Sequence, residues 1–248
     1  MTEMIFVENV RFLRGSKNFR NEAPVVEIEL SPYWIDKYPV TNGRFSNFIQ
    51  SGGYSTRELW TELGWSFIQS RGIQKPLYWE DAAWNQPDQP VTGVSWWEAL
   101  AFAKSEEKTL PTEAQWEYAA GKGQVIYPWG DEIPSPELAN YAPGCEPAEL
   151  HRRSTVVYEH PKGISRIGCY DMAGNLNEWC IDNISQNYLW DFYKQNPVFL
   201  SDEDAPHVVK GGSGLHDEDC LRCASRDYYR PEIRDNIVGI RCVRNKRA

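Results

Sequence analysis

Val25 to Leu30 (VVEIEL) sets apolar residues against Glu27 and Glu29 at alternate positions, the period-two pattern of a half-buried strand. Tyr33 to Asp36 continues extended. Thr41 predicts an N-cap for a helix through Ile49, ended by Gly52 and Gly53. Ser95-Trp-Trp-Glu98 and Thr112-Glu-Ala-Gln115 are capping boxes. They open helices over ALAFAKSEE and WEYAAGK, the second stopped at Gly121. Between them, Gly53 to Pro90 predicts irregular chain, with aromatics set among turn residues in TELGWSFIQ and PLYWEDAAW. Beyond Gly121, short apolar runs are broken by Pro, Gly and Asn (YPWGDE, ANYAPG, RIGCYDMAGNLNEWC, HVVKGGS). That pattern predicts short strands and long ordered loops. Together these signals predict a few short strands, three capped helices and long ordered loops. No linker or repeat divides the chain, so residues 1–248 are expected to form one domain.

Composition narrows the function classes. A net charge of −9 argues against nucleic acid as a partner, since phosphate binding calls for a basic face. Eleven Trp and thirteen Tyr predict loop-rich packing and contact surfaces with a polar edge. The N-terminal MTEMIFVENVRF lacks a basic region followed by an apolar run. No apolar run approaches the ~18 residues that span a bilayer. With six cysteines, this predicts reduced thiols, a cytoplasmic location and no membrane partner. No Ser-His-Asp order or phosphate loop stands out.

Six motifs follow in order: YWIDKYPVT (Tyr33 to Thr41), PVTGVSWWEA (Pro90 to Ala99), TLPTEAQWEYA (Thr109 to Ala119), YPWGD (Tyr127 to Asp131), DMAGNLNEW (Asp171 to Trp179) and KGGS (Lys210 to Ser213). The set resembles the sulfatase-modifying-factor domain family, which includes formylglycine-generating enzymes, from about Phe6 to Arg244. The resemblance implies a C-type-lectin-like fold with a small antiparallel sheet, two main helices and extensive ordered loops. The GGY, TELGWSF and PLYWEDAAW stretch is also similar to the lectin-like half of ergothioneine-type sulfoxide synthases. Those take iron from an additional His-rich domain, which the four His of this chain do not supply, so iron chemistry is not expected.

The resemblance implies sites. Asp171, Gly174, Leu176 and Glu178 match a calcium loop, and carboxylates with turn carbonyls suit that hard cation. A second calcium site would use Asn140 and Tyr141. Formylglycine-generating enzymes hold copper(I) on two cysteines after Gly-Gly-Ser, and soft thiolates suit it. Here His216 best matches the first of these positions, Cys220 the second, and Cys223 a third, structural cysteine. Cys220 and Cys223 also form a CxxC, a spacing that can hold a soft metal or cycle a disulfide. Cys169 and Cys180 flank the calcium-like loop as candidate neighbours, and Cys242 is expected to be buried.

The same fold also serves as a non-catalytic ligand-binding scaffold, including proteins diversified by retroelements. The interval between Gly-Gly-Ser and Gly-Ile-Arg holds Gly214, His216, Asp217, Asp219, Ser225, Asp227, Tyr228, Tyr229 and Asp235. These are types that adenine-directed mutation of an Asn codon produces, and they have the composition of an adaptable paratope. The first expectation is a binding module for a protein or small molecule, with Tyr228, Tyr229 and Arg230 as anchors. The alternative is a copper-dependent oxidase acting on a peptide cysteine through Cys220 and Cys223. His151, His160 and Asp202 to Asp204 are expected to be solvated, and Trp96 and Trp97 to be core and rim.

Overall fold

The computed structural model describes residues 3–123, 125–145, 153–183 and 194–246. Four strands come first: β1 (Met4–Val7), β2 (Val10–Arg14), β3 (Val26–Leu30) and β4 (Tyr33–Asp36). β2 and β3 form an antiparallel ribbon with Phe12 opposite Ile28. Val26, Ile28 and Leu30 are buried while Glu27 faces out, as the alternation predicts.

Helices α1 (Asn42–Gln50), α2 (Glu62–Arg71), α3 (Trp96–Ser105) and α4 (Glu113–Gly121) follow. Thr41 caps α1 by accepting from Arg44 N, and both capping boxes are made, at Ser95 and at Thr112. The stretch from Gly53 to Pro90 corrects the irregular reading, because α2 lies within it. Thr61 caps that helix through Gly64 N, and Gly72 ends it in the left-handed region.

The later chain supplies β5 (Asn177–Asn183), β6 (His207–Lys210), β7 (Asp227–Tyr229), β8 (Val238–Gly239) and β9 (Val243–Asn245). Two further sheets run in the order β1-β4-β9 and β7-β6-β5-β8. One core cluster gathers Phe45, Phe48, Trp96, Phe102 and Trp179 around α3, and a second gathers Ile28, Tyr33, Trp116, Met172 and Val208 around α4. Trp97, expected at a rim, is only 5% exposed. Its Nε1 donates to Glu203 at 2.7 Å, and Thr61 Oγ1 donates to the same carboxylate. The Asp202 to Asp204 loop is therefore not simply solvated. His160 is half-buried, and His151 lies outside the described residues. Among the described residues, no helix is long and apolar enough to cross a membrane.

Candidate functional site

β6 runs into Gly211 and Gly212, whose φ values of +102° and +71° need glycine. The chain turns there because Gly212 N donates to Asn177 Oδ1 at 3.0 Å. Asp217 then caps a short 3₁₀ turn, Glu218–Leu221, by accepting from Asp219 N. Together with β7, these segments enclose a cavity of about 340 Å³ lined by Phe19, Asn21, His216, Asp217, Asp219, Cys220, Arg222, Arg226 and Asp227.

The cavity disfavours ionised sulfur. Burial, the charges of Asp217 and Asp227, and a hydrogen bond to Asp217 push the Cys220 thiol up to about 11. Burial lowers the His216 pKa against the opposing pull of Asp227 and Asp217. Its Nδ1 is hydrogen-bonded with Ser213 Oγ at 2.9 Å. Cys223 is elsewhere. It is fully buried, its thiol is raised by that burial, and its Sγ packs on Gly121. It lines a separate cavity of about 310 Å³ with Glu22, Glu117 and Gly123. The sequence pair therefore splits between two cavities, and both thiols are free. Cys169, Cys180 and Cys242 are free and buried as well, the first two in the core around α4.

Arg222 borders both cavities. Its Nε and Nη2 donate to Glu22 Oε1 at 3.1 and 2.6 Å, and its Nη1 donates to Asp219 at 2.6 Å. The guanidinium lies 3.6 Å from the Phe19 ring centre. Glu113 and Glu117 stand one turn apart on α4, both buried. Burial raises the Glu113 pKa, but Arg14, Arg226 and Lys210 outweigh it and hold the carboxyl at about 2.

The other expected ligand residues do not line this cavity. Tyr228 packs on the core around α4, and Tyr229 meets Trp179 edge-on at 6.2 Å. Arg230 is exposed and pairs with Glu232 at 2.8 Å. Asp235 is exposed, and its carbonyl accepts from Gly93 N at 3.0 Å. These tyrosines hold β7 in place. The residues that sequence reasoning missed are Phe19, Asn21 and Glu22, which arrive from the loop after β2.

The calcium-like loop turns through positive φ at Asp171, Gly174 and Asn175. A Cβ on Gly174 would meet Asn140 O at 2.3 Å, so no other residue fits. Leu176 is buried. Glu178 is already engaged: Arg241 donates to both of its oxygens at 2.8 Å, and Trp116 Nε1 donates at 2.6 Å. Asp171 is the carboxylate with capacity to spare. It accepts from Asn175 Nδ2 at 3.1 Å, and burial pushes it up to about 7. Asn140 Nδ2 donates to Arg153 O at 2.9 Å, and the Tyr141 hydroxyl to Pro134 O at 2.8 Å. Among the described residues, no group of three His, Cys, Asp or Glu is arranged to hold a metal.

Solved structures share this fold. PvdO from Pseudomonas aeruginosa superposes with a TM-score of 0.77 at 20% identity, over 99% of this chain and 95% of that one. Treponema denticola variable protein 1 gives 0.68 at 19%, over 98% and 95%. The fold is thus the C-type-lectin-like α+β type. The chain belongs to the family described as the sulfatase-modifying factor enzyme 1-like domain, which matches residues 1–246.

Relatives span different activities. The chain is 36% identical to the serine/threonine-protein kinase Pkn1 of Chlamydia trachomatis, over 99% of this chain but 38% of that protein. It is 30% identical to the hercynine oxygenase of Mycobacterium tuberculosis, over 89% and 54%. It is 31% identical to the formylglycine-generating enzyme of Thermomonospora curvata, over 90% and 85%. The chain spans well under half the length of the chlamydial kinases it matches.

Proposed function

We propose that this domain is a ligand-binding module whose site is the cavity between the Gly-Gly-Ser turn and β7. The observation that carries this reading is the state of Cys220. It sits in a cavity of ligand-pocket size, at the lower end of the usual ~300–1,000 Å³, yet its neighbours keep it a thiol. A nucleophile needs the thiolate; burial first, and then Asp217 and Asp227, work against it. The partner would be a small molecule or a protein side chain reaching past Asp219 and Asp227. Amide shifts on adding a fragment set test the reading. Shifts concentrated in residues 211–227 support it, and a silent spectrum there refutes it.

A second reading is a copper-dependent oxidase. It is favoured by the formylglycine-generating relative, 31% identical over 85% of that enzyme. A Cys220–Cys223 pair does not fit copper(I), because the two thiols serve different cavities. Copper(I) titration decides the matter: tight binding abolished by Cys220→Ser would favour the oxidase.

We further propose a structural calcium ion at the Asp171 turn. A buried carboxyl raised by desolvation is a group that a cation would relieve, and Asp171 meets that description. Glu178 could contribute only by sharing its oxygens with Arg241.

A further inference from the structure

β9 is paired on both sides only at its first residue. On the side away from β4, Val243 donates to Thr109 O at 2.8 Å and accepts from Thr109 N at 2.9 Å. The neighbouring chain then leaves. Glu107 takes a left-handed φ of +56°, and Lys108 N donates to Ala103 O at 2.9 Å, at the end of α3. Backbone groups of an antiparallel strand point alternately to its two sides. Those of Arg244 therefore face β4, as Lys246 N does when it donates to Pro32 O at 3.2 Å. Those of Asn245 face the other way. There lies an open groove of about 510 Å³, lined by Trp34, Glu107, Thr109, Arg244, Asn245 and Lys246 among others. Among the described residues, no backbone group meets Asn245 on that side.

The groove also carries charge without partners. Arg244 and Lys246 are exposed and stand two residues apart, hence on one face of the strand. Among the described residues, neither pairs with a carboxylate. Arg244 lies over the Trp34 ring at 5.2 Å, and Phe6 backs that ring at 4.6 Å. Lys108 is already bound to Asp36 and Glu106, at 2.9 and 3.0 Å. Glu107 is the one carboxylate among the residues lining the groove.

We propose that this groove receives an extended acidic segment of a partner protein. The segment's backbone pairs with Asn245 in continuation of Thr109, as strand addition does. Side chains of an added strand alternate faces, so carboxylates two residues apart meet Arg244 and Lys246. A donor and an acceptor side by side on Asn245 select a polypeptide over a small anion, and the two cations select its charge. The groove shares no lining residue with the cavity between the Gly-Gly-Ser turn and β7, so neither site depends on the other.

Titration of the labelled chain with the capped peptide Thr-Glu-Val-Glu-Val tests the proposal, with amide shifts in residues 107–109 and 243–246 as the readout. A copy with lysine for both glutamates, and a copy methylated on its backbone nitrogens, should each bind roughly tenfold more weakly. Placing the glutamates side by side should also weaken binding. Arg244→Gln and Lys246→Gln, both surface changes, should each weaken the acidic peptide, and Glu107→Gln should tighten it. Equal binding of the methylated peptide, or unchanged binding by the Arg244→Gln, Lys246→Gln double variant, overturns the proposal. A short oligothymidylate that binds as tightly would make this a general anion surface and overturn it too. Shifts at these residues on concentrating the chain alone would make the occupant a second copy, against the proposal. If no peptide shifts these residues, the groove takes no acidic strand.

Discussion

Cys220 and Cys223 share a CxxC and face different cavities. Leu221, fully buried between them, and Arg222, pinned to Glu22, turn the chain so that one sulfur borders solvent and the other packs on α4. A small thiol reagent should therefore modify Cys220 before Cys169, Cys180, Cys223 and Cys242, as peptide mapping would show. With its thiol pushed up to about 11, its labelling should rise roughly tenfold per pH unit until the pH nears that value. Rapid labelling of Cys223 in the folded chain would contradict the split.

The Arg222–Glu22 pair ties the site to the start of the chain. Glu22 is fully buried, and Arg222 is nearly so. Removing one member of such a pair leaves a buried charge, at a cost of about 3–5 kcal/mol. Glu22→Ala should lose that much in urea unfolding, and Glu22→Gln less because it keeps an acceptor. The double change Glu22→Leu with Arg222→Met should recover part of the loss. A loss under ~1 kcal/mol for Glu22→Ala would mean the pair is solvated, against its burial.

These residues also mark how far the sequence could be read. Ser95 and Thr112 announce α3 and α4 because a capping box is local, a hydroxyl answered within one turn. Thr61 starts α2 without one. Its third position is Gly64, present because a Cβ there would come within 2.8 Å of Trp97, a reason that lies in another helix. The interval after Gly-Gly-Ser brings His216, Asp217, Asp219, Cys220 and Asp227 to one cavity. Tyr228 and Tyr229 pack away from it, and composition does not say which side of β7 each occupies. Glu22 was illegible: it meets Arg222 across 200 residues, and an acidic residue in a polar loop gives no sign of burial.

Asp171 should give a pH dependence of definite sign. Its folded value of about 7 lies above the ~3.9 of an unfolded Asp. Folding thus favours the protonated form. The contribution is complete below about pH 4 and is lost as pH rises through 7. Calcium-free protein should be less stable at pH 8 than at pH 5, by up to about 2.5 kcal/mol from this group. Asp171→Asn should flatten the profile, leaving a residual slope from Asp182, also pushed up to about 7 by burial. Calcium should raise the wild-type Tm at pH 8 and leave Asp171→Asn unmoved. A wild-type Tm that ignores both calcium and chelator would remove the proposed ion.

Gly121, the last residue of α4, tests the packing behind Cys223. A Cβ there would lie 2.7 Å from Cys223 Sγ and 3.1 Å from Val125 Cγ2. At an open helical position alanine would be preferred by ~1 kcal/mol. Here overpacking, at ~1–3 kcal/mol, opposes and outweighs it, so Gly121→Ala should be destabilising in urea unfolding. Cys223→Ala alone should also destabilise, by loss of buried contacts. The double variant should be more stable than the sum predicts, because the small side chain at 223 leaves room for the new methyl. A coupling of about 1 kcal/mol or more is expected for groups in direct contact. Strict additivity would show that the sulfur does not rest on α4, and it would reopen the question of which cavity Cys223 faces.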